Sequence, residues 1–239
     1  MSLPAVFQNL NSSRATDIAE AWSQFLQKNN FNYSQIQKID LGGPIPVITD
    51  MNQNKFSIDF MSDQKNYNKK KLSIKNELIS KALGGGKFGH RVLDLSAGLA
   101  IDCVFLAQLG YEVVAVERNP LVYLCLQTAL AQSPDLKIKF HFSDAKDFLK
   151  NKKPDVDVIY FDPMFPEKEK SALPRQEMVF FKALVGADED GSDVLEQALK
   201  LKGVKRVAVK RPLKAPALLK ANGNLKGKLI RFDIYGVHS

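Results

Sequence analysis

The spacing of apolar residues differs between the part of the chain before Arg91 and the part from Arg91 onward. From Arg91 onward, short apolar segments of strand length alternate with segments in which apolar residues recur at helical spacing. Strands are predicted at 91–96, 112–116, 138–142, 156–161 and 206–210, and helices at 100–109, 120–131 and 191–201. This alternation predicts a mostly parallel sheet with helices on both faces, joined by right-handed crossovers. Residues 229–237 predict one further strand, antiparallel to the others.

A different pattern precedes that alternation. Residues 12–29 predict an amphipathic helix that Ser12 or Ser13 caps, with Trp22 on its apolar face. Short strands are predicted at 45–49 and 55–61, and a helix at 72–83 that ends at three consecutive glycines. We therefore predict a small N-terminal α/β subdomain over 1–70 and a larger α/β domain over 71–239.

The first strand of the larger domain leads into a glycine-bearing turn at Gly98. Such a turn lets the backbone approach a ligand, and the following helix presents unpaired amide groups. Glu117 ends the next strand, about 20 residues after Asp94, where an acid can accept hydrogen bonds from ribose hydroxyls. The three-glycine dinucleotide pattern is absent, and Asp94 and Asp102 would repel a pyrophosphate. These acids favour a ligand with sulfonium and ammonium charges and a ribose, which describes S-adenosylmethionine (SAM).

The third strand ends at Ser143-Asp144. This pair is placed either to contact the adenine of such a ligand or simply to cap the helix that begins near Ala145.

A carboxylate, a proline and an aromatic ring follow the strand at 156–161, in the sequence Asp162-Pro163-Met164-Phe165. Ligands of open α/β sheets bind outside the carboxyl ends of the strands. An exocyclic amine of a nucleobase is a poor nucleophile, and acceptors on its N–H groups favour the transition state of attack. We predict that Asp162 and the carbonyl of Pro163 supply these acceptors while Phe165 stacks on the base. The alternative is a β-turn with Phe165 packed inside.

The charge distribution favours a polyanionic partner. The net charge is +8, and residues 201–239 carry ten basic residues against one acid, Asp233. The basic residues predicted to border the pocket and contact nucleic acid phosphates are Lys168, Lys170, Arg175, Lys210 and Arg211.

The composition argues against a metalloprotein, a membrane protein and a secreted protein. Two cysteines and three histidines show no metal-ligand spacing, so we expect no structural or catalytic metal. No apolar run approaches the ~20 residues that cross a bilayer, and no signal peptide pattern is present. We expect a cytoplasmic monomer.

Longer strings of residues carry a family resemblance. The acid-proline-x-aromatic pattern at Asp162 is similar to the motif of class I methyltransferases that act on amino groups of nucleic acid bases. The chain resembles the ribosomal RNA small subunit methyltransferase J family from about residue 70 onward, in Glu117-Arg118-Asn119-Pro120, Asp162-Pro163-Met164-Phe165-Pro166, Val209-Lys210-Arg211-Pro212 and Arg231-Phe232-Asp233-Ile234-Tyr235.

The resemblance implies a Rossmann-like fold with a seven-strand sheet, SAM as donor with S-adenosylhomocysteine as product, and N2 of a 16S rRNA guanine as acceptor. The cofactor contacts that it implies are Ile101-Asp102, Glu117-Arg118, Ser143-Asp144 and Asp162. Ile101 stands where the family typically has arginine, so its contact is expected through backbone or apolar surface. The chemistry of the motif alone leaves open an adenine acceptor in RNA or DNA, and a non-catalytic RNA-binding module is a further alternative.

Overall fold

The computed structural model describes residues 3–61, 74–164, 184 and 190–237. The chain forms two compact units that interleave along the sequence. The first comprises Met1–Met61, Asn119–Ser133 and Met164–Ala187, and the second comprises Ser62–Arg118, Pro134–Pro163 and Asp188–Ser239. The predicted division near residue 70 stays a prediction.

The described elements alternate as the apolar pattern predicts from residue 91 onward. Along the chain they are β1 (Phe7–Gln8), α1 (Ser13–Lys28), β2 (Ile36–Asp40), β3 (Val47–Asp50), β4 (Lys55–Phe56), α2 (Leu78–Leu83), β5 (Arg91–Asp94), α3 (Ile101–Gln108), β6 (Glu112–Glu117), α4 (Pro120–Ala131), β7 (Ile138–Phe142), α5 (Ala145–Asn151), β8 (Val158–Phe161), α6 (Gly191–Leu199), β9 (Arg206–Pro212), β10 (Gly223–Lys226) and β11 (Ile230–Gly236).

The first unit contains a small mixed sheet and the amphipathic helix. Strand β1 pairs in parallel with β2, and β3 and β4 continue the sheet in antiparallel fashion. Helix α1 begins after Ser12, whose hydroxyl accepts the N–H of Ala15. Trp22 is 5% exposed, which confirms its predicted place in the apolar face.

The second unit is built on the predicted sheet. Within the described part of the chain, seven strands lie in the order β10-β11-β9-β8-β5-β6-β7. Strands β5 to β9 are parallel, and β11 runs antiparallel between β9 and β10. The mostly parallel sheet and the antiparallel strand near the C-terminus are thus confirmed. The strand β10, which lies outside β11, was not predicted, because its sequence Gly-Asn-Leu-Lys lacks a strand-forming apolar pattern.

The central strands are buried on both faces, as parallel strands covered by helices must be. All four residues of β8 are buried. Side chains of the sheet and of α5 and α6 form a continuous apolar core that includes Leu93, Phe148, Ile159, Leu195 and Val207. This packing holds the five parallel strands rigidly, so their carboxyl ends form one fixed edge.

Several element boundaries differ from the predictions. The predicted helix at 72–83 is described as α2 only from Leu78, and it ends at Gly84, whose φ of 103° suits the left-handed region. The strand predicted at 55–61 is limited to Lys55–Phe56. The short strands β1 and β2 were not predicted. Residues 62–73, which include the first two positions of the helix predicted at 72–83, lie outside the described residues.

Two kinds of feature are absent from residues 3–61, 74–164, 184 and 190–237. No helix there combines the length and apolar character needed to cross a bilayer. No group of three or more His, Cys, Asp or Glu side chains is arranged to hold a metal ion. The predicted independence from metal stays a prediction.

Candidate active site

The turn between β5 and α3 is organised around the buried carboxylate of Asp94. Its Oδ1 accepts the backbone N–H of Ser96 at 2.8 Å and the hydroxyl of Ser96 at 3.0 Å. Its Oδ2 accepts the thiol of Cys103 at 3.0 Å, from the first turn of α3. Asp94 is only 1% exposed. The carboxylate therefore fixes the shape of the turn from inside.

The glycine of this turn is tied to the next strand. Gly98 has a φ of 52°, in the left-handed region, and its N–H donates to Oε2 of Glu117 at 2.9 Å. Glu117 ends β6 and is 4% exposed. Ile101, the first residue of α3, exposes 42% of its surface beside the turn. The geometry brings together the glycine and the acid that the sequence predicted as cofactor ligands.

A second cluster lies at the ends of β8 and β9. The Lys210 ammonium lies 2.8 Å from Oδ2 of Asp102 and 2.9 Å from Oδ2 of Asp162. The hydroxyl of Tyr160 donates to the same Asp102 oxygen at 2.5 Å. The side chain of Asp162 remains 36% exposed, so solvent reaches the carboxylate. The sequence predicted Asp102, Asp162 and Lys210 as site residues, but not that Lys210 joins the two acids.

Ser96 connects the two clusters. Its hydroxyl donates to Asp94 and accepts the backbone N–H of Asp162 at 2.7 Å. Sequence reasoning missed this role and the contact of Tyr160, since both depend on the register that sets Asp94 beside Tyr160 in adjacent strands. The backbone that carries Asp162 is therefore held against the turn that carries Gly98.

At the end of β7, the structure shows a helix cap. The carboxylate of Asp144 accepts the N–H of Lys146 at 2.8 Å, and the Ser143 N–H donates to the carbonyl of Glu117 at 3.1 Å. The Lys146 ammonium pairs with Asp190, just before α6, at 2.7 Å. The capping interpretation of Asp144 is confirmed, and its adenine contact stays a prediction.

The protonation of the buried groups follows from their surroundings. Burial raises the pKa of Asp94 to about 6, and Asp102 adds to the increase, while the bonds from Cys103 and Ser96 oppose it. Burial alone would lower the pKa of Lys210, but the carboxylates of Asp102 and Asp162 outweigh it, so the net shift is upward. Burial, reinforced by Asp102, raises the pKa of Tyr160 well above its ordinary range. At neutral pH, Lys210 is charged and Tyr160 is a hydrogen-bond donor.

Of five further predicted site residues, the structure describes Arg211. Arg211 is 3% exposed, and its guanidinium donates to the carbonyl of Pro216. Arg211 thus supports the loop after β9 from inside. The predicted phosphate contact is not borne out, because the buried side chain exposes almost no surface to an RNA. Four predicted residues lie outside the described residues, namely Phe165, Lys168, Lys170 and Arg175.

The chemistry of this edge suits SAM and disfavours a pyrophosphate. Asp94, Glu117 and Asp162 bring carboxyl groups to the ends of neighbouring strands, and Asp102 adds another from the first turn of α3. A ligand with a cationic sulfonium, an ammonium and ribose hydroxyls matches such acceptors, whereas phosphates would be repelled. The residues present therefore fit SAM as the methyl donor.

The raised pKa of Asp94 predicts an unusual dependence of stability on pH. Its pKa is about 6 in the folded protein and near the ordinary 3.8 in the unfolded chain, so ionisation opposes folding as pH rises from 4 to 6. We expect Asp94→Asn to lose this dependence. From pH 4 to 7, the free energy of unfolding of the variant should gain up to about 3 kcal/mol relative to the parent, as urea unfolding without cofactor would measure.

Asp157→Asn is the matched control for this measurement. Hydrogen bonds from Arg91 lower the pKa of Asp157 to about 2, so its contribution to stability is fully present above pH 4 and is lost only below that. Its effect should be constant from pH 4.5 to 7. A similarly constant difference for Asp94→Asn would contradict the assignment of the raised pKa.

Comparisons with known proteins agree with this geometry. A family model of SAM-dependent methyltransferases matches residues 37–237. Ribosomal RNA small subunit methyltransferase J of Bdellovibrio bacteriovorus is 46% identical over 230 residues, which cover 92% of this chain and 91% of the relative. The protein of the same name from Marinobacter nauticus is 35% identical, over 85% of this chain and 74% of its own length. The crystal structure of a SAM-dependent methyltransferase from Neisseria gonorrhoeae is 25% identical, with a TM-score of 0.67 and 92% of each chain covered.

Fold, acidic edge and family match together define a SAM-dependent methyltransferase with the class I sheet order. Within that class, the chain belongs to the ribosomal RNA small subunit methyltransferase J family.

Proposed function

We propose that this enzyme transfers a methyl group from SAM to the exocyclic N2 of a guanine in 16S rRNA and releases S-adenosylhomocysteine. The observation that carries the proposal is the position of Asp162. Its partly exposed carboxylate lies at the same sheet edge as the Gly98 turn and Glu117. The names of the relatives support small-subunit rRNA as the substrate.

The residues around the turn would hold the cofactor. Glu117 would accept hydrogen bonds from the ribose hydroxyls, as an acid at the end of the second strand does in related sheets. Gly98 would allow close approach of the ligand, Asp94 would contribute by fixing the shape of the turn, and Asp102 would lie near the positive charges of the ligand. Ile101 would offer apolar surface in place of a polar side chain. The other proposed cofactor contacts are Arg118, Ser143, Asp144 and Asp162.

At the acceptor end, this chain's task is to make a poor nucleophile reactive. Bound SAM supplies a methyl group whose bond to sulfur breaks as its bond to N2 forms. The amine gains positive charge as it attacks, so a carboxylate on its N–H group stabilises the transition state more than the ground state. Asp162 would accept one N–H and the Pro163 carbonyl the other. Phe165, which lies outside the described residues, would stack on the guanine.

Basic side chains would bind the RNA backbone. The proposed phosphate ligands are Lys168, Lys170 and Arg175, assisted by the basic C-terminal segment. Each phosphate contact releases condensed counterions, so rRNA binding should weaken steeply as salt rises. We further propose that the enzyme acts as a monomer, since the described site residues all belong to one unit of one chain. We also propose that it acts in the cytoplasm.

The test is methyl transfer from labelled SAM to three acceptors, namely small ribosomal subunits, naked 16S rRNA and DNA. We expect label on rRNA, recovered as N2-methylguanosine after digestion to nucleosides. Label recovered on adenine, or on DNA in preference to rRNA, would replace guanine N2 with another amino group. Absence of transfer to all three, with retained RNA binding, would favour a non-catalytic RNA-binding module.

A further inference from the structure

The ammonium of Lys210 is held between two acids of the site. It lies on β9 within hydrogen-bonding distance of two carboxylates, 2.8 Å from Asp102 and 2.9 Å from Asp162. Only 24% of its side chain is exposed. An ammonium held in this way has two of its three donors engaged by acids. A phosphate would have to compete with both carboxylates for it.

The two acids come from different parts of the sheet. Asp102 belongs to the first turn of α3, after β5, whereas Asp162 follows β8. Tyr160 also donates to the Asp102 oxygen that faces Lys210. Lys210 therefore links Asp162 to the Asp102 carboxylate, which Tyr160 holds in place by a separate hydrogen bond. Its positive charge also offsets the repulsion that two neighbouring carboxylates would otherwise exert on each other.

We infer that Lys210 is a positioning residue that holds the Asp162 carboxylate for the acceptor amine, and not a ligand of an RNA phosphate. This inference rests on the proposed function, because the carboxylate needs a fixed direction only if an N–H group must meet it. A displaced carboxylate would reach the amine in poor geometry, and transition-state stabilisation depends steeply on such placement.

The decisive experiment separates kcat from KM for rRNA. Lys210→Met keeps an unbranched apolar stem and removes the charge. We expect kcat to fall about 20-fold, the typical effect of losing a charge-assisted hydrogen bond. The KM for rRNA and the salt dependence of RNA binding should stay unchanged. Lys210→Arg, which keeps the charge, should recover most of the lost kcat. Lys202→Met, an exposed lysine before the start of β9 at the other edge of the sheet, is the control for loss of one charge.

A double-mutant cycle tests the coupling to Asp162. If Lys210 acts through that carboxylate, Lys210→Met should change kcat by less than about twofold once Asp162 is Asn. Lys210→Met alone leaves two neighbouring carboxylates without their counter-charge, which could prevent folding. The double variant leaves only the carboxylate of Asp102, so it can be measured even if the single variant does not fold. Thermal unfolding of each variant shows which are folded.

Two results would overturn the inference. One is a raised KM for rRNA with unchanged kcat, together with a smaller salt dependence of RNA affinity that corresponds to the loss of about one phosphate contact. This result would show that Lys210 binds phosphate. The other is full additivity of the two substitutions. A parent enzyme that labels no nucleic acid instead overturns the proposed function itself, and the inference with it. The activity of the parent thus distinguishes the two failures.

Discussion

Replacement of Asp162 by asparagine should lower the kcat of methyl transfer by about 1,000-fold, the upper range for loss of one transition-state contact. Asparagine keeps the shape of the side chain but carries no negative charge to meet the charge that grows on the attacking nitrogen. The ion pair with Lys210, now 2.9 Å long, would be lost as well. Asp162→Ala should reduce the rate by at least as much, because it removes the acceptor entirely.

The measurement is single-turnover transfer of label from SAM to small-subunit rRNA. Affinity for SAM, measured by calorimetry, should change far less than the rate. Asp155→Asn is the matched control, since Asp155 precedes β8 at the other edge of the sheet and its side chain is 87% exposed. If Asp162→Asn keeps its rate within tenfold of the parent, Asp162 is not the hydrogen-bond acceptor of the amine N–H group.

Replacement of Glu117 by glutamine should raise the Kd for SAM by about 100-fold, because two hydrogen bonds to a charged acceptor are weakened. The amide retains one acceptor oxygen, for which the Gly98 N–H and the ribose hydroxyls would then compete. The loss concerns binding of the donor and not the reacting nitrogen. With saturating SAM, kcat should therefore stay within a few-fold of the parent.

Calorimetric titration with SAM and with S-adenosylhomocysteine would measure this effect, and both ligands should lose affinity alike because both carry the ribose. Glu112→Gln provides the control on the same strand. Glu112 begins β6, is paired with Lys137 and has a side chain that is 57% exposed. Equal affinities of the Glu117 variant and the parent would rule out Glu117 as the ribose ligand.

Local patterns account for the parts of the fold that were predicted. Strands such as β7, which is observed with its predicted bounds at Ile138–Phe142, follow from apolar runs of suitable length. The helix α4 likewise matches its predicted residues, because Asn119 caps it and Pro120 begins it. The weak strands β1 and β10 escaped prediction, since their pairing depends on neighbours that are distant in sequence.

Partners across the sheet could not be derived in the same way. Arg211 was predicted to contact phosphate because it is basic and follows a strand, yet it is 3% exposed and braces the Pro216 carbonyl. Whether a side chain at a strand end faces solvent or the interior depends on the neighbouring loops. The arrangement of those loops is set by contacts between residues that are distant in sequence, which the local spacing of residues does not reveal.

By itself, the sequence determined which residue types stand at the strand ends, with Asp94, Glu117 and Asp162 each following an apolar run. Apolar periodicity is a local property, so it could be read without knowledge of the fold. Only the tertiary structure decided that Lys210 bridges Asp102 and Asp162 and that Ser96 links Asp94 to the Asp162 backbone. Those contacts arise from the order and register of β5, β8 and β9, which long-range packing sets.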